Sequence, residues 1–235
     1  MNQIHPTVLI GKRVLMGDHN VILPYTILED DIEIGNDNII GPFVTIGSPA
    51  ANTRNKYEKE KGKKIRIGHR NIIREHSAIQ KPVFNPETRI GNDTFIMQGA
   101  NISHDAILEN ETVLAANVSL AGFTQVLEGA YIAMGASINQ FTVIGPYAIV
   151  ATNAAAMRHV KPFSRYIPSK PLSVNHYAIQ KFGFNAMKEE IMDYVLHDIN
   201  PTHPKLREIL NQFHKSIQAQ EKRKNDSIFK PSKDK

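Results

Sequence analysis

His104 and Asp105 are neighbours in the segment ANISHDAIL. An imidazole beside a carboxylate is a small arrangement able to do general-base work near neutral pH, because the ring accepts a proton from a hydroxyl or amine and hands it on. The same pair on a solvated surface does nothing, and the residue types alone leave both readings open. Other chemistries close sooner. The chain has no cysteine, which excludes thiol catalysis, cysteine-ligated zinc and disulfide stapling and fits a reducing cytoplasm. It has no HExxH, no P-loop pattern and no Gly-x-Gly-x-x-Gly, and its ten histidines show no ligand spacing, so no metal site is expected.

What positions the pair is a beat of six. Ile90, Ile96, Ile102, Leu108, Leu114, Leu120, Val126, Ile132, Ile138, Ile144 and Val150 recur without a slip, and four places after each stands a small or β-branched residue such as Ala100, Ala106, Val118 or Thr124. Six matches neither the 3.6 of a helix nor the 2 of a simple strand, and a fixed short repeat marks a stacked parallel β-helix. Short strands of successive coils then satisfy one another's backbone groups while aliphatics stack inside. In this frame His104-Asp105 falls on the outer surface between inward-pointing Ile102 and Ala106. Gly, Asn and Asp, as in Gly91-Asn92-Asp93, suit the turns between strands.

The beat opens at Ile4 and runs to Ile46, with Asn20 and Asn38 at inward positions where stacked amides meet backbone. It breaks at about 47–64 and again at about 80–89, and loops leaving a regular scaffold are where binding residues collect. The expected organisation is a left-handed β-helix over 1–160, then a linker and a C-terminal helical hairpin over 161–235. Pro162, Pro168 and Pro171 end the regular structure. Met187, Ile191 and Val195, and then Leu206, Ile209, Leu210, Phe213 and Ile217, follow helical spacing, in the role of an end cap or subunit contact. The net charge of +5 collects in Lys56 to Lys64 and in the tail after Lys222. No aromatic residues are interleaved at intervals that would stack bases, so a nucleic-acid groove is not expected. No apolar run approaches the roughly 20 residues of a membrane span.

The loop before IRIGHRNIIREHSAIQ, the segment ANISHDAILENETVLAANVSLAGF, then INQFTVIG and SVNHYAIQKFGF before the helices, together resemble the bacterial UDP-N-acetylglucosamine O-acyltransferases, which perform the first acyl transfer of lipid A synthesis. The resemblance covers nearly the whole chain. It implies a homotrimer with active sites between subunits, His104 as general base, Asp105 as its partner, and the Gly122 N–H of LAGF as oxyanion donor. It further implies substrate contacts at Lys56, Gln80, Lys81, Asn101, Phe123, Asn139, Gln140 and Asn175. Ala151 and Thr152 fall where the family limits acyl length, and Lys181 where it grips the carrier. No permanent cofactor is implied; acyl-CoA or acyl carrier protein serves as co-substrate, and a nucleotide sugar as acceptor.

The departures carry information. The family's histidines are replaced by Gln80, Asn101, Phe123 and Asn139, the flexible glycine of its acyl-length segment by Ala151-Thr152, and two of three carrier-gripping basic residues by Gln180 and Phe182. Base and oxyanion donor are retained while the sugar pocket is rewritten. The first reading is therefore transfer of a short or medium acyl group to a nucleotide-linked sugar, by N-acylation of an amino sugar for surface polysaccharide. The second is 3-O-acylation of UDP-N-acetylglucosamine from acyl carrier protein. A third, of another class, is a trimeric hexapeptide-repeat scaffold without catalysis.

Overall fold

The computed structural model describes residues 1–51 and 62–228, with side chains as far as 225. Its described strands lie in sheets of ten, eight and seven, the three walls of a left-handed parallel β-helix. Register follows the aliphatic beat. In the ten-stranded sheet Ile22 pairs with Ile40, and the ladder continues through Ile73, Ile96, Leu114 and Ile132 to Val150. The eight-stranded sheet stacks Leu28, Ile46, Ile79, Ile102, Leu120 and Ile138. The seven-stranded sheet stacks Ile34, Ile67, Ile90, Leu108, Val126 and Ile144. These side chains make one continuous buried core. Where polar residues enter it they are linked along the stack: Asn20 Oδ1 accepts the Asn38 N–H, Asn38 Oδ1 the Asn71 N–H, and Asn71 Oδ1 the Thr94 N–H, at 2.8–2.9 Å.

Some corners take the expected Gly, Asn and Asp, as at Asp37, Asp93 and Asn117, and others do not. The left-handed position of many corners carries an aromatic ring: Tyr25, Phe43, His76, Phe123, Phe141, Tyr147 and Phe163, with φ between 55° and 62°. That conformation costs a residue with a Cβ about 1–2 kcal/mol. Two gains offset it. Corner N–H groups bond to the preceding coil, as Phe123 to the His104 carbonyl at 3.1 Å, and rings stack on rings one coil away.

Both excursions are shorter than expected. The strands Thr45–Ser48 and Lys64–Ile67 take in Gly47, Ser48 and Lys64, and the second excursion shrinks to 81–86 between Ala78–Gln80 and Glu87–Ile90. The reason is pairing across the insertions: Glu87 pairs with Lys64, Thr88 with Ile65 and Gln80 with Ser48.

After the coils, Ser164–Tyr166 still adds in parallel, and Ser173–Val174 closes the sheet antiparallel. Three α-helices follow where two were expected: α1 (His176–Lys181), α2 (Lys188–His197) and α3 (Pro204–Ile228). Six residues are too few for α1 to show a period. Instead of capping the solenoid's end, α3 runs back along its side: Phe213 and Ile217 pack on Leu127 and Val143, and Gln212 reaches Glu109. Among the described residues no helix is long and apolar enough to cross a membrane.

Candidate active site

The turn after the strand Asn101–Ile102 places His104 and Asp105 at the corner between the eight- and seven-stranded sheets. The pair is not the solvated one the hexad frame implied. His104 is 7% exposed and Asp105 is fully buried, because the excursion 81–86 folds over the corner. Three consecutive backbone N–H groups converge on the Asp105 carboxylate, from Val83 at 3.2 Å, Phe84 at 3.0 Å and Asn85 at 2.6 Å. The fourth donor is the imidazole, with Nδ1 2.7 Å from Asp105 Oδ2. A carboxylate has acceptor room for all four. Since it only accepts, the proton sits on Nδ1, and the lone pair of Nε2 faces away as the proton acceptor.

Gly122 lies one coil further on, against that nitrogen. A Cβ at 122 would stand 2.6 Å from His104 Cε1 and 2.8 Å from Nε2, so only glycine leaves room for the ring. Among the described contacts its carbonyl accepts the Phe141 N–H at 3.2 Å, and no bond is made by its own N–H. The Gly122 N–H is thus without a partner among the described hydrogen bonds, in a residue packed against the imidazole.

Around this pair the surroundings are aromatic. Phe123 meets the imidazole edge-on at 5.6 Å and stacks on Phe141 at 4.7 Å. Phe84 stands 5.5 Å from Phe123 and 6.5 Å from His104 and is 57% exposed. Neither Phe84 nor Phe141 was singled out as a site residue from sequence. Phe84 lies between Pro82 and Pro86, off the hexad beat, where no period draws attention to it.

The remaining residues of the sequence reading divide. Asn101 is half-buried on the outer side of the strand that leads to His104. Asn139 and Gln140, beside Phe141, face His159 and, on α3, Gln220 across a cavity of about 130 Å³. Lys81 is buried, its ammonium 3.9 Å from Asp31. Two of them make hydrogen bonds within the chain. Gln80 accepts the Ala51 N–H at 3.1 Å, so its carbonyl oxygen ties down the start of the first excursion. Asn175 is buried and caps α1, accepting from Ala178 N–H, and donates to the Tyr147 carbonyl at 2.8 Å. Ala151 and exposed Thr152 occupy the other border of the eight-stranded sheet, a different corner from His104. Lys181 ends α1 with its ammonium 4.7 Å from the Phe182 ring centre. Lys56 lies outside the described residues.

Comparison with known proteins gives this arrangement a family. The description "Bacterial transferase hexapeptide (six repeats)" matches residues 13–48. The acyl-(acyl-carrier-protein)–UDP-N-acetylglucosamine O-acyltransferase of Verminephrobacter eiseniae is 33% identical over 196 residues, 79% of this chain and 73% of that protein. The chain belongs to this acyltransferase family. The enzyme of the same name from Synechocystis is 32% identical over 68% of this chain and 58% of its own length. In three dimensions, UDP-N-acetylglucosamine acyltransferase from Bacteroides fragilis superposes with a TM-score of 0.75 at 23% identity, covering 89% of this chain and 94% of that one. That from Francisella novicida gives 0.72 at 23%, over 94% and 87%. These two likenesses speak for the fold. Family membership makes the chain an enzyme of acyl transfer to a nucleotide-linked sugar.

Proposed function

We propose that the chain acylates the 3-hydroxyl of UDP-N-acetylglucosamine, with acyl carrier protein as thioester donor, in the cytoplasm as the first acylation of lipid A. Of the two acceptor readings made from sequence this was the second, and the names of the relatives support it over the first. The observation that carries it is the His104–Asp105 pair with Gly122 against the base nitrogen. In the reaction, Nε2 takes the hydroxyl proton as the sugar oxygen attacks the thioester carbonyl. The Gly122 N–H meets the oxyanion, the C–S bond breaks, and the thiolate leaves with the proton from the imidazolium. Asp105 keeps the ring in its tautomer and stabilises the cation while it lasts.

The site is completed by a second copy. His104 and the acyl-limiting pair Ala151-Thr152 stand on opposite borders of one wall, apart within a single chain. Between Gln3 and Arg165 the outer positions of the ten-stranded sheet are Val21, Ile39, Ile72, Phe95, Val113, Tyr131 and Ile149, an apolar stripe with no covering element of this chain described over it. Copies packed through that stripe as a homotrimer bury it. The side chains of Ala151 and Thr152, where the family has flexible glycine, shorten the acyl slot.

A second reading keeps its own support. Phe123 and Asn101 and Asn139, instead of imidazoles, leave the acceptor fewer charged hydrogen bonds, and this favours N-acylation of an amino sugar. A thiol-release assay separates them: UDP-N-acetylglucosamine and a nucleotide-linked amino sugar, each with acyl carrier protein thioester or acyl-CoA. Turnover of UDP-N-acetylglucosamine with the carrier protein is expected. Turnover of the amino sugar alone overturns the 3-O assignment, and no turnover with any pair returns the chain to a scaffold role.

A further inference from the structure

Phe84 has no place in the reaction as written, yet it is held in a fixed position beside the base. Its neighbours Val83 and Asn85 are buried, while its own ring is 57% exposed. The backbone on which it rides cannot drift: the N–H groups of 83, 84 and 85 all end on Asp105, and the Lys63 ammonium bonds the Val83 carbonyl. Packing does not explain an apolar ring fixed by four hydrogen bonds of its own and neighbouring backbone and left open to solvent. Beneath it, Phe123 is 4% exposed and braced by Phe141 at 4.7 Å. The two rings lie 5.5 Å apart and tilted by 35°, so that the open ring of Phe84 rests on a buried one that meets the imidazole.

We propose that the exposed ring of Phe84, backed by the buried Phe123, is the stacking platform for the pyranose ring of the acceptor, which makes Phe84 a specificity-determining residue. The inference rests on the reading that a nucleotide-linked sugar is acylated here. Its argument is distance. A hydroxyl or amine surrendering its proton to Nε2 lies within hydrogen-bond reach of it, about 3 Å. Its pyranose carbons then come within reach of the open Phe84 ring, centred 6.5 Å from the imidazole. The C–H face of a pyranose is the part of a sugar that gains from covering aromatic carbon, by removing apolar surface from water and by dispersion. Selection by such a platform follows the shape of the stacked face, with hydroxyls at its rim making little difference. A sugar with an unbroken C–H face is accepted, and an epimer with an axial hydroxyl on that face is refused because the hydroxyl props the sugar off the platform and is buried unpaired.

The test is the kinetics of Phe84→Ala and Phe84→Trp with each substrate varied in turn. The ring is exposed and Asp105 is held by backbone, so both variants keep the wild-type melting midpoint. For Phe84→Ala the KM of the sugar nucleotide should rise roughly 3–10-fold, the worth of one aromatic contact, with kcat and the KM of the acyl donor within twofold. Phe84→Trp should keep or lower the sugar KM. Wild-type turnover with an unchanged sugar KM in Phe84→Ala overturns the platform and leaves the function standing. A rise confined to the acyl donor's KM overturns it too, by assigning the Phe84 ring to the donor. Absence of turnover by the wild type with every nucleotide sugar removes both readings.

Discussion

At the corner that holds His104, Phe123 stacks on Phe141 at 4.7 Å; at the corner between the seven- and ten-stranded sheets, Tyr147 stacks on Phe163 at 5.0 Å. All four rings sit at the same left-handed turn position, with φ of 58–62°. The second stack is roofed. Phe184 meets both of its rings at 4.9 Å, and Ile179, Tyr194, Leu206 and Leu210 close around them. In the first, Phe123 is also buried, against His104 and Phe84, and Phe84 alone keeps an open ring. One rule of construction has thus made a closed hydrophobic core at one corner and, at the other, a buried stack with one exposed aromatic ring at its edge. The difference lies in the covering segment: helices with apolar faces in one case, a six-residue loop whose backbone is spent on Asp105 in the other.

That contrast is broken first by stability. Phe184→Ala, which empties a fully buried site, should lower unfolding free energy by about 3–5 kcal/mol. Phe84→Ala should stay within about 0.5 kcal/mol. Denaturant midpoints of the two variants decide it, and equal losses would mean that Phe84 is core after all. Two glycines sharpen the same comparison. Gly122 is required for space, since its Cβ would strike the His104 ring, whereas Gly183 before the closed corner has φ +73° and nothing within 4 Å of a Cβ. Gly122→Ala should displace the base by a fraction of an ångström to an ångström and cost on the order of 100-fold in kcat. Gly183→Ala should leave the rate alone and cost about 1 kcal/mol of stability through backbone strain.

The smallest expected effect is one of pH. Beside the closed corner, burial holds the Glu109 carboxyl above the usual carboxylate range, against the opposing pull of the Glu128 N–H and Gln212. A folded pKa above the unfolded one means that this group favours the fold fully below its unfolded value, about 4.3, and that the advantage is lost as pH rises through the folded value. Glu109→Gln should flatten that decline in a series of denaturant midpoints from acid to neutral pH. An unchanged slope would show that the carboxyl is not desolvated by α3.

The hexad was legible because it is a period imposed by the core: each aliphatic had to stack on the one below, and Ile22 to Val150 do so in register. The base pair was legible as chemistry but misplaced as surface, since nothing in ANISHD says that Val83, Phe84 and Asn85 will bring their N–H groups to Asp105. Tertiary closure of a loop has no local signature. Asn175 was read for substrate contact and not for its local role. Its position before His176 makes it a helix cap, which also donates to the Tyr147 carbonyl. Phe84 escaped because a single aromatic between prolines has no period. The aromatic corners were unexpected because turn propensity describes the cost of a left-handed angle and not the stacking that repays it.

The central claim is that His104, oriented by Asp105, removes the acceptor proton. Its most direct measurement is the single-turnover rate of His104→Ala with UDP-N-acetylglucosamine and acyl carrier protein thioester, alongside its melting midpoint. The account expects a rate about 100 to 10,000 times below wild type in a protein that remains folded. A folded His104→Ala variant turning over at the wild-type rate would contradict it.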